Sequence, residues 1–455
     1  MSSSTPPAMS RVPRGLAPLR HREFRLLAAG QLASNIGDGF YAVALPWYVL
    51  ATHGGTLLLG TVLAAYGIPR TVLLAVGGHA SDRWHPWTVM MAADAVRALA
   101  VAVLAAAVFS GPANAATLLP IAAVIGAGEG LFLPGSFSII PSLLPDADLQ
   151  AGNAVSAGGT QLAALLGPAI GGGMVAVTGP AGAFAVDAAS FVISAATLAG
   201  VRAGKRRAPD SGRASASPPD QTRTCPSQPG AGEPAAGHQR PPPLRHLIRS
   251  ERVLQIILVI TLTANLGSGG LGDVALPALA RGPFHAGAAG YGGLIAAIGA
   301  GALLGALAAG QTARLRRPAV AASLAFLAEA AFMAVVPYLG STVAAGAALA
   351  VFGGLNGFGL VLVITTIQRW APAEMLGRLI GLVLLASFAT FPVSVVLAGI
   401  VVHDFGAAPF FPAAAVILAA AVLAGLTQRT WRRFGTTVTT SDPQQSTDPS
   451  PGIVA

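Results

Sequence analysis

Residues 57–83 read LLLGTVLAAYGIPRTVLLAVGGHASDR. From Leu57 to Ala80 the one formal charge is Arg70, beside Pro69, and the run is long enough to cross the hydrocarbon core of a bilayer as a helix. Charge then returns at once, with Asp82 and Arg83. Lipid offers no partner to an open backbone amide, so a segment of this kind spans a membrane as a helix. The same alternation extends in both directions. About twelve apolar stretches of about twenty residues succeed one another along the chain. They cover 24–50, 57–80, 88–110, 116–140, 151–177 and 181–201, then 253–280, 288–311, 318–338, 342–367, 376–402 and 409–427. In the fourth, Pro134 and Pro141 interrupt the inner end. The expected fold class is an all-α polytopic membrane protein.

Composition agrees. The chain has 455 residues, 53% hydrophobic and 10% charged, with mean hydropathy +0.66, too little charge for the surface of a soluble domain of this length. The net charge of +9 does not point to nucleic acid, because the basic residues flank spans and form no continuous face. Lys205 is the single lysine, and this arginine bias with abundant Ala, Gly and Pro suggests a GC-rich bacterial genome. Cys225 is the single cysteine, which excludes an intramolecular disulfide and a thiolate metal cluster. Residues 1–23 are polar and basic, and no signal peptide is expected in them.

The basic residues fall in every second gap. One side of the membrane receives Arg11, Arg14, Arg20, Arg22 and Arg25, then Arg83, then Arg202 to Arg207, then Arg245 to Arg252, Arg314 to Arg317, Arg369, Arg378 and Arg429 to Arg433. The short loops of the other side hold Arg281 alone. The positive-inside rule therefore places both termini in the cytoplasm of a bacterial cell membrane, which requires an even number of spans. Asp146 and Asp148, between the fourth and fifth spans, break the trend.

The chain also repeats itself. Pro18-Leu19-Arg20-His21 precedes the first span and Pro243-Leu244-Arg245-His246 the seventh. Asn35-Ile36-Gly37 matches Asn265-Leu266-Gly267, and Leu45-Pro46 matches Leu276-Pro277. A parallel six-plus-six repeat joined by a cytoplasmic linker is a common plan for secondary transporters. The expected organisation is a tail (1–23), a six-helix bundle (24–202), a linker (203–245), a second six-helix bundle (246–433) and a tail (434–455). The linker, residues 1–17 and the C-terminal tail, rich in Pro, Ser and Gly, are expected to be disordered.

The loop Gly78-His79-Ala80-Ser81-Asp82-Arg83 resembles the G-x-x-x-D-R motif that comes after the second helix in the major facilitator superfamily. The family's basic continuation is replaced by Trp84, His85, Pro86 and Trp87. The resemblance implies two pseudo-symmetric bundles with twelve helices and alternating access, with Gly78, Asp82 and Arg83 biasing the inner gate. Asp94 and Arg97 in the third span belong with that gating group. Gly167-Pro168-Ala169-Ile170-Gly171-Gly172 resembles the antiporter motif of the family's exporters. It implies a kink and a side-chain-free face at the interface between bundles. The first span, from Phe24-Arg25-Leu26-Leu27 through Ser34-Asn35-Ile36-Gly37-Asp38 to Leu45-Pro46-Trp47, is similar to the branch of macrolide and enterobactin exporters.

Ionisable groups at mid-membrane are costly and mark candidate sites. Asp38 lies about 14 residues, or ~21 Å, into its span. Gln31, Ser34, Asn35, Tyr41 and Tyr48 lie on or near its face at helical spacing. Burial disfavours a carboxylate anion, so such an acid can carry a proton as access alternates; the plain alternative is a static hydrogen bond to a neighbouring helix. Glu129 is the second candidate, in a glycine-rich part of the fourth span. Asn35, Asp38, Tyr41, Arg70 and Glu129 form the expected substrate cavity, with Arg70 pairing an acid or touching substrate. Asp94 and Arg97, one helical turn apart, are expected to pair with each other or with the second helix. Glu329 is expected to be structural. Asp187 and Asp273 fall in the outer thirds of their spans, where water relieves much of the cost.

No phosphate-cradling GxxxxGK[ST] and no HExxH occurs, so neither ATP nor a metal is expected as cofactor. A membrane enzyme would gather its acids or histidines near one interface, whereas here they are scattered in depth. The expectation is a monomeric secondary transporter that moves a small amphipathic molecule outward against protons. A facilitator or importer on the same fold is the alternative.

Overall fold

The computed structural model describes residues 14–52, 55–207, 248–249, 251–312, 315–371 and 373–434. Among the described residues the chain is helical throughout and contains no strand. The helices are α1 (Arg22–Thr52), α2 (Thr56–Trp84), α3 (Pro86–Ser110) and α4 (Ala115–Ile139). A continuous run from Asp146 to Arg207 breaks at Gly179 into α5 (146–178) and α6 (180–207). The second half holds α7 (Arg252–Arg281), α8 (Gly287–Gly310), α9 (Pro318–Val335), α10 (Thr342–Trp370), α11 (Ala373–Phe405) and α12 (Phe410–Thr427).

Ten segments are long and apolar enough to cross a membrane; splitting the α5–α6 run and adding α1 makes twelve. α1 is less apolar than the others because Gln31, Ser34, Asn35 and Asp38 run along it. The reversal between α5 and α6 needs only Gly179, at φ 75, a backbone state that a side chain disfavours. Pro180 then opens the next helix.

Some expected boundaries move. Helix α2 runs through Asp82 and Arg83 to Trp84, so the motif sits on a helix end rather than in a loop. The turn is His85 alone, at φ 68; its ring nitrogen accepts from the Trp87 amide at 3.2 Å, and Pro86 starts α3. Arg14–Arg20, whose residues up to 17 are expected to be disordered, forms a short 3₁₀ helix whose Leu19 packs on the core formed by Phe24, Leu27 and Leu144. α6 continues through Arg207, past the expected end at 202, while 208–247 and 435–455 lie outside the described residues, as does Cys225.

The two halves pack alike: α1 lies along α5 and α2 along α4, as α7 lies along α11 and α8 along α10. They meet in two equivalent seams, α2 with α11 and α5 with α8. With no hydrophobic drive between helices in lipid, close backbone approach holds such seams. A Cβ on Gly172 of α5 would lie 2.7 Å from the Ala288 carbonyl oxygen of α8, and one on Gly60 of α2 would lie 2.6 Å from that of Val395 in α11. Hydrogen bonds join the halves from the side opposite the termini inward. Arg281 donates to the Ala51 carbonyl (3.4 Å), Thr56 to that of Gly399 (3.0 Å) and Thr71 to that of Phe388 (3.0 Å).

Candidate functional site

A cavity of about 420 Å3 lies where the halves meet. The first half supplies Asn35, Asp38 and Tyr41 from α1, Tyr66 and Arg70 from α2, Glu129 from α4, and Thr160 and Pro168 from α5. The second half supplies Asp273 from α7, Ile295 from α8 and Phe391 from α11. Every residue of the expected substrate cavity thus lines one space.

Local sequence explains how the charges reach each other. Gly126 and Gly130, one turn apart on α4, sit against the backbones of Tyr66 and Arg70 on α2. At that separation Glu129 spans the gap: its carboxylate lies 2.7 Å from Arg70 Nη2 and accepts the Tyr66 hydroxyl. The Arg70 guanidinium also stacks over Phe388 of α11, 4.5 Å from the ring centroid, so one cation touches both halves.

Asp38 is held in a different way. Gly37 and Gly39 pack against α6 and α5, and Asp38 between them faces Arg97 of α3. Arg97 Nη2 donates to both of its carboxylate oxygens, at 2.8 and 3.1 Å. The Arg97 side chain is 2% exposed and that of Asp38 37%, so the arginine is interior and the acid opens to the cavity. Arg97 runs beneath Gly128 and lies over the ring of Phe191 at 4.0 Å. Asp94, fully buried, is 3.9 Å from Arg97 Nη1 and accepts from Ser194 of α6 at 2.6 Å. The expected Asp94–Arg97 pair is therefore the longer of two contacts. The short one reaches across to α1, not to α2, and Gly128 of α4 leaves room for the Arg97 side chain along that path.

Asp187 also departs from expectation. It is 1% exposed, and the Ser190 hydroxyl lies 2.7 Å from its backbone carbonyl and 3.4 Å from its carboxylate within α6. Asp273 faces the shared cavity. Glu329 is 2% exposed and accepts from Asn356 at 3.0 Å.

The four residues of the resemblance-based antiporter motif divide between two contacts. Gly167 and Gly171 pack on α1 within their own half, while Gly172 and the Pro168 carbonyl face Gly292 of α8 in the other. Helical backbone angles persist through Pro168, and Gly179 is where they break. Arg83 is exposed at the end of α2, and the burial of Gly78 and of the Asp82 side chain lies outside what is described.

A second cavity, about 360 Å3, lies inside the second half. Asn265, Ser268, Asn356 and Ser387 give it polarity, Phe326, Phe352 and Trp431 give it apolar wall, and none of its lining residues is charged. Ile295 lines both cavities. Of the two, the charged one is the better candidate for chemistry, since it holds the groups able to bind or release protons.

Residues 27–391 match the sequence pattern of the Major Facilitator Superfamily. The multidrug efflux pump Tap of Mycobacterium bovis (strain BCG / Pasteur 1173P2) is 31% identical over 183 residues, which cover 39% of this chain and 43% of the pump. The chain thus spans less than half the length of that relative. The enterobactin exporter EntS of Shigella boydii serotype 4 (strain Sb227) is 26% identical over 371 residues, covering 80% of this chain and 81% of the exporter. In three dimensions the nucleoside transporter NupG superposes with a TM-score of 0.63 over 90% of this chain and 100% of its own, at 13% identity, a likeness of fold alone. With twelve spans in two like halves around a central cavity, and that match over most of its length, the chain belongs to the Major Facilitator Superfamily.

Proposed function

We propose that this transporter exports a small amphipathic compound from the bacterial cytoplasm in exchange for protons, by alternating access between its two halves. The observation that carries the coupling is Arg97, held between Asp38, which opens to the cavity, and Asp94, which does not. A proton taken up by Asp38 removes its charge and leaves Arg97 to Asp94. Release of the proton restores the pair with Asp38. Each protonation state thus favours a different placement of α1 against α3, which is what a coupled conformational change requires. Glu129, tied to Arg70 and Tyr66, is the second proton site, and through Phe388 its state is felt by α11. One elementary charge moved across the membrane gains about 2.3 kcal/mol per 100 mV.

The outward direction draws support from the GPxxGG sequence at Gly167 to Gly172 and from the likeness to Tap, an efflux pump, and EntS, an exporter. Both termini and the linker between the halves lie in the cytoplasm, with Gly78, Asp82 and Arg83 biasing the inner gate and the transporter acting as a monomer. Asp38→Asn is the test. Everted vesicles given a proton gradient should accumulate substrate with the native protein and not with the variant, while both insert equally and melt alike in detergent. Full export by the variant with an unchanged pH response refutes the coupling. Uptake by right-side-out cells refutes the direction.

A further inference from the structure

We infer that Asp273 binds a positively charged group on the transported compound, and that this carboxylate sets a preference for cationic over neutral molecules. This role rests on the central cavity being the transport site. The other two acids in the cavity wall are already matched: Asp38 by Arg97, and Glu129 by Arg70. Asp273 faces the same space from the second half and makes no hydrogen bond or ion pair among the described residues. An acid in a membrane interior without a partner is stabilised as an anion when a cation lies beside it and otherwise takes up a proton, so it discriminates charged from neutral guests.

Its position depends on an irregular turn. The repeat relates Asn35 to Asn265, an offset of 230, but Pro46 to Pro277, an offset of 231. One residue has been added between those points, and there the structure has a π turn, Leu271–Ala275. A turn takes 3.6 residues, so one added residue rotates the later part of a helix by about 100° relative to the earlier part. Such single-residue bulges recur at functional sites. This one is held from outside. Ser394 of α11 accepts from the Gly270 amide at 2.7 Å and donates to the Leu266 carbonyl at 2.6 Å. Tyr291 of α8 donates to the Gly272 carbonyl at 3.0 Å.

The surroundings suit a delocalised or aryl-bearing cation. Tyr66 and Phe391 meet edge to face across the halves, with centroids 6.4 Å apart, in the same wall. Tyr41 lies 6.2 Å from Tyr66. Aromatic faces attract cations, and the cavity's volume is that of small-molecule sites.

The experiment is equilibrium binding to the purified full chain in detergent, with no gradient. The probes are tetraphenylphosphonium, whose charge does not depend on pH, and triphenylphosphine oxide, a neutral aryl relative. Asp273→Asn should weaken phosphonium binding about tenfold, ~1.4 kcal/mol, and leave the oxide within about twofold. Asp273→Glu should keep the native preference, and Asp273→Ser serves if the Asn variant melts early. Equal phosphonium binding by native and neutralised proteins overturns the inference. So does parallel loss of both probes in a folded variant, or a native protein that binds no phosphonium. Vesicle export is scored separately. Native binding preference without gradient-driven export would sink the export reading and leave Asp273 in its role.

Discussion

The two halves of this protein share a fold but not a charge pattern. Asn35 and Asp38 line the cavity between the halves, and their repeat mates Asn265 and Ser268 line the cavity within the second half. Further along, Gly126 and Gly130 pack on α2 as Gly353 and Gly357 pack on α8, so Ile125 and Glu129 correspond to Phe352 and Asn356, again one set per cavity. The same backbone positions therefore face the same kind of space in each half. Where the first half places Asp38 and Glu129, the second places the hydroxyl of Ser268 and the carboxamide of Asn356. Duplication kept the packing, and the paired acids and arginines of the cavity wall lie in the first half, with Asp273 the acid that the second half adds. A molecule in the first cavity would meet a polar, titratable wall, and one in the second an apolar, amide-bearing wall.

The comparison breaks most sharply at Arg97. This guanidinium is interior and faces two carboxylates. Arg97→Leu leaves Asp38 and Asp94 without a counter-charge, a loss of about 3–5 kcal/mol for a buried pair broken on one side. Thermal unfolding in detergent should fall steeply, and adding Asp38→Asn and Asp94→Asn should recover part of it. An unchanged melting temperature in the single variant would mean that the charges are hydrated and not interior.

The converse test moves an acid into the neutral half. Ser268→Asp places a carboxylate where no arginine stands among the lining residues. Central acids in membrane helices cost about 2.5–3.5 kcal/mol, so this variant should melt well below the native protein. A fully stable Ser268→Asp would show that the second cavity tolerates charge as readily as the first. Glu329 offers a smaller probe of the same half. Asn356 is its hydrogen-bond donor, so Asn356→Leu should cost about 1–3 kcal/mol, the penalty for a buried polar group left without a partner.

Legibility in the residues depends on the range over which each force acts. Spans and their number were legible because lipid forces each apolar run into a helix, and charge between runs marks where it surfaces. Helix ends were less so: nothing about Ala80 stops α2, and only Pro86, with His85 in a left-handed turn, does. The cavity set of Asn35, Asp38, Tyr41, Arg70 and Glu129 was legible as polar groups at mid-span. The partner of Asp38 was not, because Arg97 stands one turn from Asp94 in sequence, and only packing turns it to α1. Asp187 looked interfacial by depth, yet the close approach of α1 and α6 at Gly37 seals it. The π turn left a trace in the offset between repeats, visible once the matched pairs are numbered.

Ser394→Ala is expected to have the smallest effect on stability and the most selective effect on function. Its hydroxyl stands between the Leu266 carbonyl and the Gly270 amide, groups four residues apart that an ordinary helical turn would join directly. Removing it costs about 0.5–1.5 kcal/mol as one hydrogen-bonding group lost, at the low end because those two backbone groups can then pair. The helix would tighten towards the regular form that α1 keeps over its matching residues, and Asp273 would turn with it. Amide exchange across 266–275 should slow, while the preference for phosphonium over its neutral relative should shrink and the melting temperature barely move. Unaltered exchange in that stretch would mean that Tyr291 and the local sequence suffice to hold the turn, and that Ser394 is only a packing contact between α7 and α11.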